Sequence, residues 1–181
     1  MGQNAQNAGR IDAYVSALAM TAAPPDDSPA LDRLDTELLA LLQQDASLPL
    51  RTLAERVHSS PATVQRRLAQ LRASGVLLKQ VAIVDRRKVG RPLTAFVSVE
   101  LDRQNDALLR AFEQKMLAEK DVQACYEVSG EFDFLLIVTA ASMAQYHAFT
   151  RMAFSSNNNV RNFKSTFAMH CAKFETAVPL D

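Results

Sequence analysis

Leu34, Leu38, Leu41 and Leu42 fall at i, i+4, i+7 and i+8, which predicts a helix over Leu31–Asp45 with Asp32, Asp35 and Glu37 suited to its N-terminus. A second apolar stripe, Leu50, Leu53, Ala54 and Val57, predicts a short helix after Leu48-Pro49. The third helix has the clearest boundaries. Ser60 is a good N-cap, Pro61 fits the first helical position, Val64, Leu68 and Leu71 point inward, and Gly75 suits the left-handed residue that ends a helix. Three helices, with the turn His58-Ser59-Ser60 before the last, predict a helix-turn-helix domain.

The period changes downstream. The run VLLKQVAIV at Val76–Val84 is β-branched and apolar and predicts a strand, the wing of that domain; Asp85–Pro92 is a basic, turn-rich connector. From Leu93 the pattern predicts strand Leu93–Leu101, helix Asp106–Leu117 with Leu109, Phe112 and Met116 inward, and strand Val122–Ser129. Strand Phe132–Thr139 follows, then a helix opened by a capping box at Ser142 and Gln145, and a last strand from Val160 to about Lys173. The expected fold class is α+β: an N-terminal winged helix-turn-helix domain (30–84), a basic hinge (85–92) and a C-terminal ferredoxin-like βαββαβ domain (93–181). Both helices of the latter should lie on one sheet face, which leaves the other face for a second copy and predicts a homodimer. Residues 1–29, rich in Gln, Asn, Ala and Pro, read as a disordered tail in which Ile11–Met20 is too short for a stable helix.

Composition adds one decisive feature. The 181 residues carry zero formal net charge, but residues 50–91 hold ten basic side chains against Glu55 and Asp85, whereas 1–49 hold two basic against seven acidic. A basic segment coincident with a helix-turn-helix is the footprint of a phosphate-binding surface. No apolar run reaches membrane-spanning length and no secretory signal is legible, so the expected compartment is the cytoplasm. Cys125 and Cys171 are far apart and read as buried free thiols; His58, His147 and His170 are scattered, so neither a metal site nor a catalytic cluster is expected.

In a helix-turn-helix the N-terminal half of the last helix faces base edges in the major groove. Ala62, Thr63, Gln65 and Arg66 are therefore the base-edge candidates, with Gln70 further along the same outer face, since Arg and Gln can make paired bonds to guanine and adenine. Arg51, Ser60, Arg67 and Arg72 are assigned to phosphates of double-stranded DNA.

The segments LDRLDTELLALLQQDA (31–46), LAERVHSSPATVQRRLAQLRASGV (53–76) and CYEVSGEFDFLL (125–136) together make Leu31–Leu180 resemble the leucine- and asparagine-responsive regulator family, Lrp/AsnC. The resemblance implies a DNA-binding regulator that dimerises through its C-terminal domain, often assembles into octamers, and binds an amino-acid-like effector between dimers without any other cofactor. Carried over by position, the effector site comprises Tyr126, Gly130, Glu131, Phe132, Asp133, Met143, Thr166, Phe167 and Ala168. Backbone N–H groups of the glycine turn would hold a carboxylate, Glu131 or Asp133 an ammonium, and Met143 with Phe167 an apolar side chain. The Ser155–Arg161 loop departs from the family's leucine-proline-glycine-valine connection, and the N-terminal tail is atypical. Two other functions compete: an effector-independent architectural DNA-binding protein, and an enzyme resembling the siroheme decarboxylases, which share this pair of domains.

Overall fold

The computed structural model describes residues 30–155 and 159–180, so the tail 1–29, the Ile11–Met20 segment and the middle of the 155–161 loop lie outside the described residues. Among the described residues the helices are α1 (Arg33–Gln44), α2 (Leu50–Arg56), α3 (Pro61–Ala73), α4 (Asp106–Ala118) and α5 (Met143–Phe154); the strands are β1 (Leu93–Leu101), β2 (Val122–Glu127), β3 (Phe134–Ala140) and β4 (Val160–Phe167). The chain divides into two compact units. One runs to Ala82 and includes the residues from Glu175 onward; the other is Ile83–Phe174.

In the first unit the three predicted stripes meet. Leu38, Leu42, Leu53, Ala54, Val57, Val64, Leu68 and Leu71 form its buried core, joined by Leu39, which the periodic reading omitted. The caps explain the boundaries. Asp32 accepts from the Asp35 N–H while the Asp35 carboxylate accepts from the Asp32 N–H, an all-aspartate capping box. At α3, Ser60 Oγ accepts from the Thr63 N–H at 3.1 Å, and Gly75 sits at φ +76°, where a side chain would be strained.

The second unit is a four-stranded antiparallel sheet in the order β2-β3-β1-β4. Ala95, Val97, Val99 and Leu101 of β1 and Phe134, Leu136 and Val138 of β3 pack against Phe112, Met116, Tyr146, Phe149 and Ala153 of α4 and α5. The opposite sheet face carries Phe96, Tyr126, Leu135 and Ile137, and neither α4 nor α5 packs on it.

Four expectations are corrected. Val76–Val84 forms no strand: its backbone has no partner strand among the described residues, and Leu78, Val81, Ile83 and Val84 are exposed. β4 ends at Phe167 rather than near Lys173, because Ala168 N–H makes its bond to Thr94 O at 3.0 Å and β1, which begins at Leu93, offers no further backbone. The C-terminal boundary also moves: Gln43 binds both backbone groups of Val178, and Leu180 packs on the helical core, so residues from 175 belong with the first unit. Cys171, finally, is exposed, and Cys125 is half-buried against the core.

A bulge between Val122 and Ala124 turns Cys125 toward the helices, although a strict alternation from Val122 would have sent it outward. Burial, with the Glu113 and Glu127 carboxylates nearby, pushes its thiol up to about 12 from 9.0. The unfolded thiol loses its proton above pH 9 while the folded one keeps it, so this contribution to stability is full below pH 9 and is lost as pH rises toward 12. Iodoacetamide at pH 8 is therefore expected to leave Cys125 unmodified in native protein and to alkylate it after denaturation, as peptide mass mapping would show.

Candidate functional site

α3 carries three arginines, and the structure separates them by charge environment. Arg67 lies on the flank facing α1, where its guanidinium pairs with Asp32 at 2.5 Å and with Asp35 at 3.4 Å. Its assignment to a phosphate is corrected, because two carboxylates already neutralise it. Replacing Arg67 with alanine would leave the nearly buried Asp35 without its cation, at a cost of roughly 1–3 kcal/mol for a partly exposed pair. We expect a lower urea midpoint and an unchanged salt slope of DNA binding.

Arg66 and Arg72 differ. Both are exposed, and each hydrogen-bonds only a neutral amide: Arg66 to Gln70 Oε1 at 3.4 Å and Arg72 to Gln80 Oε1 at 3.0 Å. Neither has a carboxylate within ion-pair distance among the described residues. Ala62, Gln65 and Gln70 are exposed beside them, because the inward row Val64, Leu68 and Leu71 fixes the rotation of the helix. Thr63 is half-buried, its hydroxyl sharing a hydrogen bond with Ser60 Oγ at 2.8 Å, so both side chains serve the cap. Arg51, on α2, is exposed and lightly held by Glu55 one turn on.

The effector candidates do not converge. Gly130, Glu131, Phe132 and Asp133 form the β2–β3 turn, at the end of the sheet where β1 finishes. Met143 opens α5, just after Ala140, which pairs with Leu93; Thr166, Phe167 and Ala168 end β4 opposite Phe96, Ala95 and Thr94. From the Leu101 level to the Thr94 level is about 23 Å at roughly 3.3 Å per residue. Tyr126 stands on the helix-free face, opposite Leu135.

Within the turn, Gly130 takes φ +149°, Glu131 is exposed, and the Asp133 carboxylate has two neutral hydrogen-bond donors. It accepts from Leu101 N–H at 2.6 Å and from Gln104 Nε2 at 2.7 Å, which fastens the turn to the end of β1. These neutral donors position the carboxylate without neutralising its charge. At the other end Phe167 meets Tyr146 edge-on, with ring centroids 5.1 Å apart, one turn along α5 from Met143. Burial raises the Tyr146 hydroxyl above its ordinary range, offset in part by its hydrogen bond with Ser165. Nothing local in the sequence marks Tyr146 or Ser165 as neighbours of the candidate site.

A second polar cluster links the connector to this end of the sheet. Arg91 pairs with Asp121 and also donates to Thr139, while Gln145 of α5 donates to Asp121 at 3.1 Å and accepts from Ala141 N–H at 2.8 Å. No group of His, Cys, Asp and Glu suited to a metal occurs among the described residues, and no helix there is long and apolar enough to cross a membrane.

Comparison with known proteins agrees with this architecture. The AsnC-type helix-turn-helix domain matches residues 31–72 and the Lrp/AsnC ligand binding domain matches residues 94–178. An uncharacterised HTH-type transcriptional regulator of Haemophilus influenzae is 45% identical over 83% of this chain and 89% of its own length. The DNA-binding transcriptional activator DecR of Escherichia coli is 34% identical over 83% of this chain and 99% of its own. Among solved structures, an AsnC family transcriptional regulator from Agrobacterium tumefaciens is 32% identical with a TM-score of 0.77, covering 82% of this chain and 97% of that one. An L-Met complex of a transcriptional regulator from Neisseria meningitidis is 29% identical with a TM-score of 0.78, covering 84% and 98%. With both domains matched in order and relatives of this identity spanning most of its length, the chain belongs to the Lrp/AsnC family.

Proposed function

We propose that this chain is a sequence-specific DNA-binding transcriptional regulator, acting as a homodimer or larger assembly and modulated by an amino-acid-like effector. The observation that carries the DNA-binding reading is the division of labour among the α3 arginines. The inward one is neutralised by Asp32 and Asp35, while Arg66 and Arg72 stand on the outer face with only neutral amide partners. Unneutralised cations beside Ala62 and Gln65 suit phosphates and base edges, and the relative named as a DNA-binding activator supports the reading.

The helix-free sheet face, with Phe96 and Tyr126 exposed and Leu135 and Ile137 between them, supports pairing with a second copy. Since one ligand cannot span about 23 Å of strand, the two groups of effector candidates meet only if different copies supply them. An effector pocket shared between copies would make ligand occupancy and assembly interdependent. The L-methionine complex of the Neisseria meningitidis regulator supports the chemical class.

Fluorescence anisotropy on a promoter fragment selected from genomic DNA tests the reading. The expected result is an affinity above that for random sequence of equal length, falling linearly in log K against log salt. Equal affinity for both fragments would favour the architectural alternative instead. Thermal shifts with the twenty amino acids, followed by sedimentation with the best of them, test the effector arm.

A further inference from the structure

The chain passes between its two units twice, at Ala82–Ile83 and at Phe174–Glu175. Both crossings are anchored in the second unit by one side chain. Arg86 of the connector donates to Thr94 Oγ1 at 2.7 Å, and its guanidinium lies over the Phe174 ring at 5.6 Å, within cation–π range. Thr94 O in turn accepts from Ala168, where the backbone leaves β4.

Both crossings are also anchored in the first unit. On the connector side, Leu77 N–H bonds Leu71 O at 2.9 Å, and Gln80 bridges Arg72 to Ala46 O. On the C-terminal side, the Gln43 amide of α1 donates to Val178 O at 3.0 Å and accepts from Val178 N–H at 2.7 Å, and Leu180 packs on the helical core. One amide thus satisfies both backbone groups of a single extended residue, as a neighbouring strand would.

We propose that residues 168–180 are a strap: a second tether, docked on α1 by Gln43 and Leu180, that limits how far the helix-turn-helix unit turns on its connector. Val178 lies only four positions beyond Phe174, a reach of about 13 Å at roughly 3.3 Å per extended residue. With Val178 docked, the short stretch between Phe174 and Val178 restricts turning about the connector. With it released, the helical unit swings on a single point. The strap leaves from the end of β4 that carries the effector candidates Thr166, Phe167 and Ala168, so movement there is relayed to α1 through the covalent chain. This regulatory use rests on the proposed DNA-binding function; the mechanical restraint does not.

Spin labels at Ala73→Cys and Gln114→Cys, in a Cys171→Ser background diluted with unlabelled protein, report the distance distribution within one chain by pulsed electron resonance. Truncation after Phe174 is expected to broaden that distribution at least twofold. A Gln43→Ala, Leu180→Ser double variant, which keeps the full chain, is expected to do the same and carries the test if the truncated chain fails to fold. An unchanged width in the double variant overturns the proposal. On DNA, inserting five base pairs between half-sites is expected to cost the intact protein at least tenfold in affinity and the double variant less than threefold. An equal penalty in both overturns the strap. Absence of specific binding by the intact protein would instead remove the proposed function and leave the resonance result standing.

Discussion

Replacing Arg66 with alanine is expected to weaken operator binding by about 1–3 kcal/mol for each half-site that it reads, hence by about twice that in a complex with two-fold symmetry. The residue is placed for this by its neighbours. Val64, Leu68 and Leu71 hold one side of α3 in the core, and the Ser60 cap and Pro61 set where the helix starts. Arg66 therefore emerges one and a half turns from the N-terminus, exposed and without a carboxylate partner among the described residues. The loss should concentrate at one base position, so titrating the variant against operators altered one base at a time should show relaxed discrimination there. A loss spread evenly over all sequences, with a shallower salt slope, would assign Arg66 to a phosphate instead.

Phe134→Ala is expected to cost about 3–5 kcal/mol of stability, enough to remove much of the margin of a domain of this size. Phe134 opens β3, is fully buried, and packs its ring at a tilt of 35° against Phe112 of α4, with centroids 4.6 Å apart. It joins the middle of the sheet to the helical layer, and a cavity there is walled by backbone-paired strands that cannot collapse into it. Urea unfolding at fixed protein concentration, followed by near-ultraviolet circular dichroism, measures the loss. Phe163→Ala is the useful comparison: on edge strand β4 and 40% exposed, it should cost distinctly less.

The parts of this molecule legible in its sequence are those encoded by residues close together in the chain. Ser60, Pro61, the 64-68-71 stripe and Gly75 specify α3 within sixteen positions, and the alternation in β1 specifies which of its residues face the helices. What was illegible depends on distant partners. Arg67 reads like Arg66 until the fold sets it against Asp32 and Asp35 on α1. Nothing near Asp133 in the sequence shows that its carboxylate fastens the turn to Leu101 and Gln104. Val76–Val84 has the composition of a strand, but composition supplies no partner, and none is present among the described residues. The bond between Gln43 and Val178 spans 135 positions and has no local signature at all.

The same distinction governs the candidate sites. The outer face of α3 was legible because one helix carries it and its inward stripe fixes the outward one. The effector residues came through family resemblance, and the fold distributes them over both ends of the sheet. The proposed pocket therefore draws on more than one copy, a geometry that no single sequence specifies.

Hydroxyl-radical footprinting of a bound genomic fragment tests the central claim most directly. A pair of helix-turn-helix units presented by a dimer should protect short patches of backbone about ten base pairs apart on one face of the duplex, centred on a sequence repeat, and Arg66→Ala should erase them together. A single patch, or even protection that spreads with concentration and ignores sequence, would contradict it.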